Sequence, residues 1–121
     1  MDAVMTDPNR LRVRLVALAA WLTIAGAATA ASPSFSVELK GGRVQGEDTL
    51  KVKQGDQVEV RPRSDRPMVL HLHGYDLDVK VAPPAPALLS FKAGIAGRFP
   101  VHEHREGAGN HRAVLFIEVH P

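Results

Sequence analysis

The sequence predicts an all-β domain after residue 30, an antiparallel sandwich or small barrel of about eight short strands. Apolar and polar residues alternate in short runs, such as residues 35–39 and 50–53, which is the period of a strand with one buried face. No window of this part has apolar residues at helical spacing over three turns. Glycine or proline recurs about every ten residues, which limits each element to the length of a strand.

The strands follow one another in a simple order. The first three have the clearest alternation, at residues 35–39, 50–53 and 58–60, and Gly55-Asp56 supplies a tight turn between the second and the third. Residues 61–67 predict a loop, and residues 83–86, which are rich in proline, predict an extended connector. The remaining strands share β-branched or aromatic content and are expected at residues 69–73, 77–81, 88–91, 99–102 and 114–119.

The first 30 residues predict a signal peptide. Arg10, Arg12 and Arg14 precede an apolar segment of about 14 residues, which is shorter than the roughly 20 residues of a membrane-spanning helix. Ala28 and Ala30 are small residues at the positions that a signal peptidase inspects, so we expect cleavage after Ala30. The mature domain is then residues 31–121, exported to the periplasm and free of the membrane once the leader is removed.

Composition excludes several classes of function. The 121 residues include no cysteine, which rules out disulfides, thiolate metal sites and thiol nucleophiles. Basic and acidic residues number 15 and 13, and no run of Lys or Arg could follow a phosphate backbone, so nucleic acid is not an expected partner. The chain has no Ser–His–Asp order, no nucleotide-binding glycine loop and no HExxH helix. We therefore do not expect an enzyme.

The histidines form two His-x-His pairs on predicted strands. Side chains two residues apart share a face of a strand, so His71 and His73 point away from the leucines between and before them. His102 and His104 likewise lie on the face opposite to Glu103. Imidazoles at i and i+2 stand about 6 to 7 Å apart at Cβ, which is near enough for both to bind one metal ion.

The candidate metal ligands are these four histidines together with Glu103 and with His111, which lies in the following glycine-containing loop. Without thiolates, imidazole ligands favour Cu(II), and Zn(II) is the alternative ion. The competing interpretation is that the histidines are solvated side chains on the polar faces of two strands. Tyr75, Asp76 and Asp78 are candidates for orienting an imidazole, or for completing a turn.

The His-Leu-His-Gly-Tyr-Asp segment at 71–76, taken with residues 97–99 and 104–107, resembles the cupredoxin family, the Greek-key sandwiches of the plastocyanin kind. The resemblance covers most of residues 35–119. More closely, the chain is similar to the cysteine-free cupredoxin-like domains of exported bacterial proteins that carry a His-x-His-Gly-Tyr-Asp segment. The resemblance implies a cupredoxin-like, Greek-key antiparallel β-sandwich.

The resemblance also implies where a metal would lie. In blue-copper members, a Cys, a second His and usually a Met lie on the loop before the last strand, and the Cys faces inward. Glu103 has the matching inward position here. Without a thiolate this chain cannot form a blue-copper electron-transfer centre. The resemblance implies instead a pocket rich in histidine at the ligand end.

These observations predict an exported, periplasmic protein that binds Cu(II) for carriage or storage. The alternative is a metal-free cupredoxin-like module that uses a sheet edge or its ligand-end loops to bind another envelope protein. A third hypothesis is a copper redox enzyme, which would need an open coordination position. The pattern leaves open whether the two His-x-His strands are neighbours.

Overall fold

In the computed structural model, nine strands build the described part of the chain. The structure describes residue 26, residues 29–105 and residues 112–121, so most of the predicted signal peptide lies outside the described residues. No helix in these ranges is long and apolar enough to cross a membrane. The strands are β1 (Ser34–Lys40), β2 (Arg43–Val44), β3 (Thr49–Lys53), β4 (Gln57–Ser64), β5 (Met68–Leu72), β6 (Leu77–Val81), β7 (Leu89–Lys92), β8 (Gly97–His104) and β9 (Ala113–His120).

The strands form two sheets, with the orders β2-β1-β4-β7 and β3-β9-β8-β5-β6. Most neighbours are antiparallel, as predicted, but β1 runs parallel to β4, and β3 runs parallel to β9. The chain visits other strands between the partners of each parallel pair, which provides the long crossover that parallel pairing requires. The all-β sandwich expected from the alternating pattern is confirmed, with a mixed strand arrangement.

The core lies between the two sheets and is filled by one face of each strand. In β5, Met68, Leu70 and Leu72 are buried, whereas the residues between them are partly exposed. The largest fully buried side chains are Leu39, Leu70, Leu72, Ile117, Val58, Val60, Val81, Val101 and Pro62. Removing this apolar surface from water is the main force that holds the sheets together. The side chains between the buried ones of β5 therefore lie on the outer face of the sheet.

Strand β4 continues through a segment that the sequence predicts as a loop. Its alternating burial extends to Ser64, so Arg61 and Arg63 lie on a strand. Pro62 is buried within it, beyond the ladder to β7, which ends at Val60. A proline is tolerated there because a neighbouring strand pairs with only one side of this stretch. Alternation was hidden because Pro62 and Ser64 occupy the inward positions usually taken by larger apolar residues.

The predicted tight turn at Gly55-Asp56 is present, and it joins the two sheets rather than two paired strands. Gly55 has a φ of 95°, a left-handed conformation that glycine adopts without strain. The Asp56 carboxylate accepts a hydrogen bond from the Lys53 backbone N–H at 2.9 Å, and Asp56 is buried. The turn therefore forms a corner at which the chain leaves β3 for β4.

The turn after His73 is anchored by the side chain of Tyr75. Tyr75 donates a hydrogen bond from its hydroxyl to the Ile95 carbonyl at 2.9 Å and accepts one from the Ile95 N–H at 3.1 Å. Its ring packs on Phe91 and Phe99. Gly74 has a φ of 87°, and a Cβ there would collide with the Phe99 ring. Tyr75 thus anchors the β5–β6 turn, and it is not the group that orients an imidazole.

Candidate functional site

Three histidines meet on the outer face of the five-stranded sheet. β5 and β8 are adjacent, and His71 is directly opposite His102 in their antiparallel register. The ring of His73 lies between the other two, with centroids 4.7 Å from His71 and 4.5 Å from His102, both edge to face. We call His71, His73 and His102 the histidine cluster. The two predicted His-x-His strands are therefore neighbours.

Strand geometry explains why the three rings share one face. Leu70, Leu72 and Val101 point into the core, which turns the alternate residues of both strands outward. The register between β8 and β9 also shifts between Val101 and His102. Such bulges are common beside functional sites because they change the direction of a side chain.

A carboxylate orients one ring of the cluster. Asp78 on β6 lies opposite His71 in the register, and its Oδ1 is 2.6 Å from His71 Nδ1. When Nδ1 carries the proton and donates it to Asp78, Nε2 is the nitrogen with a lone pair available for a metal ion. Asp76, in the β5–β6 turn, has an Oδ1 3.7 Å from that Nε2. The sequence-based expectation that Asp78 can orient an imidazole agrees with this contact.

The cluster is accessible from solvent. The side chain of His71 is 23% exposed, His73 is exposed, and His102 is partly buried. In the part of the chain that the structure describes, no three His, Asp or Glu side chains are already arranged to hold a metal ion. Ring centroids about 4.5 to 5.5 Å apart are what two imidazoles on one ion require, given metal–nitrogen distances near 2 Å. The spacing of the cluster therefore fits an ion, whereas its edge-to-face rings would have to turn.

Glu103 does not join the cluster, although the sequence makes it a candidate ligand. It faces Leu70 across the β5–β8 pair, on the inner side of the sheet. Its Oε1 and Oε2 accept hydrogen bonds from Arg66 at 2.5 and 2.9 Å, and Arg105 Nε is 3.2 Å from Oε1. The hydrogen bonds from Arg66, opposed by burial and aided by Arg105, lower the pKa of Glu103 to about 2. Both oxygens of this carboxylate therefore already accept hydrogen bonds from an arginine.

His104 is a predicted ligand that the structure does not bring into the cluster. His104 is exposed at the end of β8, opposite Val69, and no contact between its ring and the other three is found in the described ranges. His111 lies outside the described residues. The structure thus brings together three of the five candidate ligands that lie in its described residues.

Sequence reasoning missed the role of Arg66. The sequence predicts only a loop at residues 61–67, whereas Arg61 forms an ion pair with Glu59 at 2.8 Å and Arg66 binds Glu103. Arg66 and Glu103 are 37 residues apart in the chain, so no local signal links them. The inward parity of Glu103 was the one available sign, because a carboxylate on the core side of a strand needs a cation.

We call the end of the sandwich at which this ion pair lies the Arg66 end. It comprises the Gly41-Gly42 turn, residues 65–67, and Glu103 with Arg105. Asp65 accepts hydrogen bonds from the Gly41 N–H at 3.0 and 3.2 Å. A Cβ on Gly42 would lie 2.8 Å from Arg66 Nη2, so the turn packs tightly over the guanidinium. The ion pair therefore joins β8 to the β4–β5 loop beneath the β1–β2 turn.

Three solved structures resemble this chain in fold. It is 21% identical to a heme-copper terminal oxidase over 69% of its own length, with a TM-score of 0.57. For a multi-copper oxidase from Pseudomonas thermotolerans the values are 22%, 76% and 0.56. For a copper nitrite reductase from Nitrosomonas europaea they are 16%, 74% and 0.57. The chain spans 62%, 30% and 42% of those three chains.

At these identities the similarity shows the fold alone. No protein-family model matches the chain, and no curated protein matches it. The cysteine-free, exported bacterial subgroup therefore stays a prediction. The strand order, the shared core and the three similar structures together show that the chain is an all-β, cupredoxin-like sandwich.

Proposed function

We propose that this protein binds a divalent metal ion, Cu(II) above others, through the histidine cluster, and that its role is copper carriage or storage in the periplasm rather than catalysis. One observation carries the proposal: the rings of His71, His73 and His102 lie within 4.7 Å of the next ring on one accessible face. The similar structures include copper proteins, which supports the choice of ion without deciding it.

The donor set favours copper. Imidazole nitrogen binds first-row divalent ions in an order that rises to Cu(II), and the chain has no cysteine to favour a softer ion. The contact between Asp78 and His71 selects the tautomer that offers Nε2. The ring of His73 is exposed and lies against both other rings. Zn(II) is the alternative, because it also accepts three imidazoles.

A calorimetric titration tests this function. The purified, metal-free chain is titrated with Cu(II) and then with Zn(II), at pH 7.5 and at pH 5.5. We expect one Cu(II) per chain with a submicromolar dissociation constant, and weaker binding at the lower pH because protons compete for imidazole. Zn(II) is expected to bind more weakly. Absence of saturable binding of either ion would reject the proposal.

Two variants locate the site. His73→Ala should weaken Cu(II) binding at least about tenfold, because it removes the ring in contact with both others. His120→Ala is the matched control, since His120 lies at the end of β9 and forms an ion pair with Glu118 at 2.7 Å. Stoichiometric binding that survives His73→Ala but is lost in His120→Ala would place the metal elsewhere.

A metal-free interaction module is the second candidate function. It is favoured by the absence, in the described ranges, of three side chains already arranged around an ion, and by the ion pair that occupies the Arg66 end. In this case the histidines are solvated residues and the partner is another envelope protein. A titration without saturable heat would turn the search to such a partner.

A further inference from the structure

Arginines are concentrated at the Arg66 end. Seven arginines follow residue 30, and four of them lie here: Arg66 and Arg105 contact Glu103, and Arg43 and Arg112 line an adjoining depression together with Arg105. They come from β2, the β4–β5 loop, the end of β8 and the start of β9. The fold therefore gathers guanidinium groups that are far apart in sequence.

Three acidic residues in the described part of this end have hydrogen-bond partners. Glu103 is bound by Arg66, the Asp65 carboxylate accepts from Gly41, and Asp48 Oδ1 is 3.1 Å from the Thr49 hydroxyl. Within the residues that the structure describes, the guanidinium groups of Arg43 and Arg112 form no ion pair. Three arginines and two acidic residues, Asp48 and Glu103, thus lie in the described lining of the depression, which carries one more positive than negative charge.

The depression has the dimensions and lining of a small polar binding site. Its volume is about 420 Å³, within the range of ligand sites. Val44 and Val114 contribute an apolar part of its lining, and the backbone of Gly42 and Gly46 forms part of its wall. Because Arg43, Arg105 and Arg112 are exposed, a ligand could lie across the depression and would not need to be enclosed.

We propose that this depression binds an acidic peptide segment of a partner protein through Arg43, Arg105 and Arg112. A guanidinium presents two parallel N–H donors that match the two oxygens of a carboxylate. The same end already holds one carboxylate in this way, since Arg66 bonds both oxygens of Glu103. Guanidiniums from three separate strand ends can reach neighbouring acidic side chains, and the valines can contact the aliphatic parts of those side chains.

The lowered pKa of Glu103 supports the same conclusion, because it shows that this end stabilises a carboxylate in its charged form. The proposal does not depend on the histidine cluster, which lies on the outer face of the sheet. Metal binding and peptide binding can therefore succeed or fail separately.

Fluorescence anisotropy with the purified chain tests the proposal. The probe is a labelled peptide of alternating Asp and Glu, and its Asn and Gln counterpart is the neutral control. We expect saturable binding of the acidic peptide that weakens as salt is raised from low to physiological concentration. The combined Arg43→Gln and Arg112→Gln substitutions should lower the affinity at least about tenfold, because two charge-assisted contacts are lost.

Arg98→Gln is the matched control for charge. Arg98 lies over the Phe116 ring, 4.1 Å from its centroid, away from the depression, so this variant should bind the peptide as the unmodified chain does. Equal losses in Arg98→Gln and in the double variant would mean nonspecific attraction and would overturn the proposal. Binding of the neutral peptide with the same affinity would do so too. If the chain bound citrate but not the acidic peptide, the ligand of the depression would be a small anion, and the peptide proposal would be overturned.

Discussion

His102 and Glu103 are neighbours in sequence, yet they belong to two regions with opposite physical character. His102 points outward into the histidine cluster, where rings contact one another on an accessible face. Glu103 points inward, is 13% exposed, and is bound by Arg66 and Arg105. One step along a strand changes the face of the sheet. The comparison teaches that donors adjacent in sequence cannot be assumed to serve one metal ion, even when every residue type is suitable.

The largest expected effect is on Cu(II) affinity, which should depend on the histidine cluster and not on Glu103. Replacing His71 and His102 together with alanine removes two of three imidazoles, and we expect Cu(II) affinity to fall at least about 100-fold. Glu103→Gln should leave it within about twofold, because Glu103 lies on the other face of the sheet. Competition titration with a chromophoric copper chelator measures both. A larger loss in Glu103→Gln than in the histidine variant would reverse our assignment.

The free energy of unfolding should depend more on Glu103 than on the histidine cluster, which is the opposite of the order expected for metal affinity. Glu103→Gln leaves the guanidinium of Arg66 without its bidentate partner, and we expect a loss of about 1 to 3 kcal/mol in the free energy of unfolding. The double alanine variant of His71 and His102 should lose less, because its side chains lie on the outer face. Urea unfolding monitored by far-UV circular dichroism gives both free energies of unfolding. Glu59→Gln, which removes the exposed ion pair with Arg61, is the control and should cost under about 1 kcal/mol.

A smaller effect tests the support of the cluster. Asp78→Asn keeps the size of the side chain and removes the charge that holds His71 Nδ1, so we expect about a tenfold loss of Cu(II) affinity, the lower end of what removal of such a supporting group causes. Asp48→Asn, outside the cluster, should have no effect. If Asp78→Asn bound Cu(II) as tightly as the unmodified chain, the orientation of His71 would have no role in binding.

The smallest expected effect is a change of stability with pH. The pKa of Glu103 is lowered from 4.5 to about 2 in the folded protein, so its contribution is complete above about pH 4.5 and falls as the pH approaches 2. We expect the ion pair to account for about 1 to 2 kcal/mol of the stability lost between pH 6 and pH 3. Comparing urea unfolding of the unmodified chain and Glu103→Gln at the two pH values measures this share. Parallel pH dependence in both proteins would contradict it.

The predictions that the structure confirmed rest on the local alternation of apolar and polar residues. Alternation predicted eight of the nine strands and the faces of the histidines, because one buried face imposes a period of two. It missed β2, which has two residues, too few to show a period. It also ended β4 early, because Pro62 and Ser64 take inward positions.

Long-range partners were beyond such reasoning. That β5 adjoins β8 depends on sheet order, and the pairing of Arg66 with Glu103 depends on how the β4–β5 loop meets the end of β8. The same limit explains why the site was only partly predicted. The sequence showed that His71, His73 and His102 alternate with inward residues and that Glu103 faces inward, whereas the ion pair of Glu103 with Arg66 was not predictable from it.

The parallel pairing of β3 with β9 has a consequence for the order in which the protein can fold. Thr49 pairs with Phe116, and Lys53 pairs with His120, so β3 must wait for nearly the whole chain before its partner exists. Contacts between residues this distant in sequence form late and slowly. A chain truncated before β9 would lose two strands of its larger sheet. Residues 49–53 therefore have no parallel strand partner until residues 113–120 are available to pair with them.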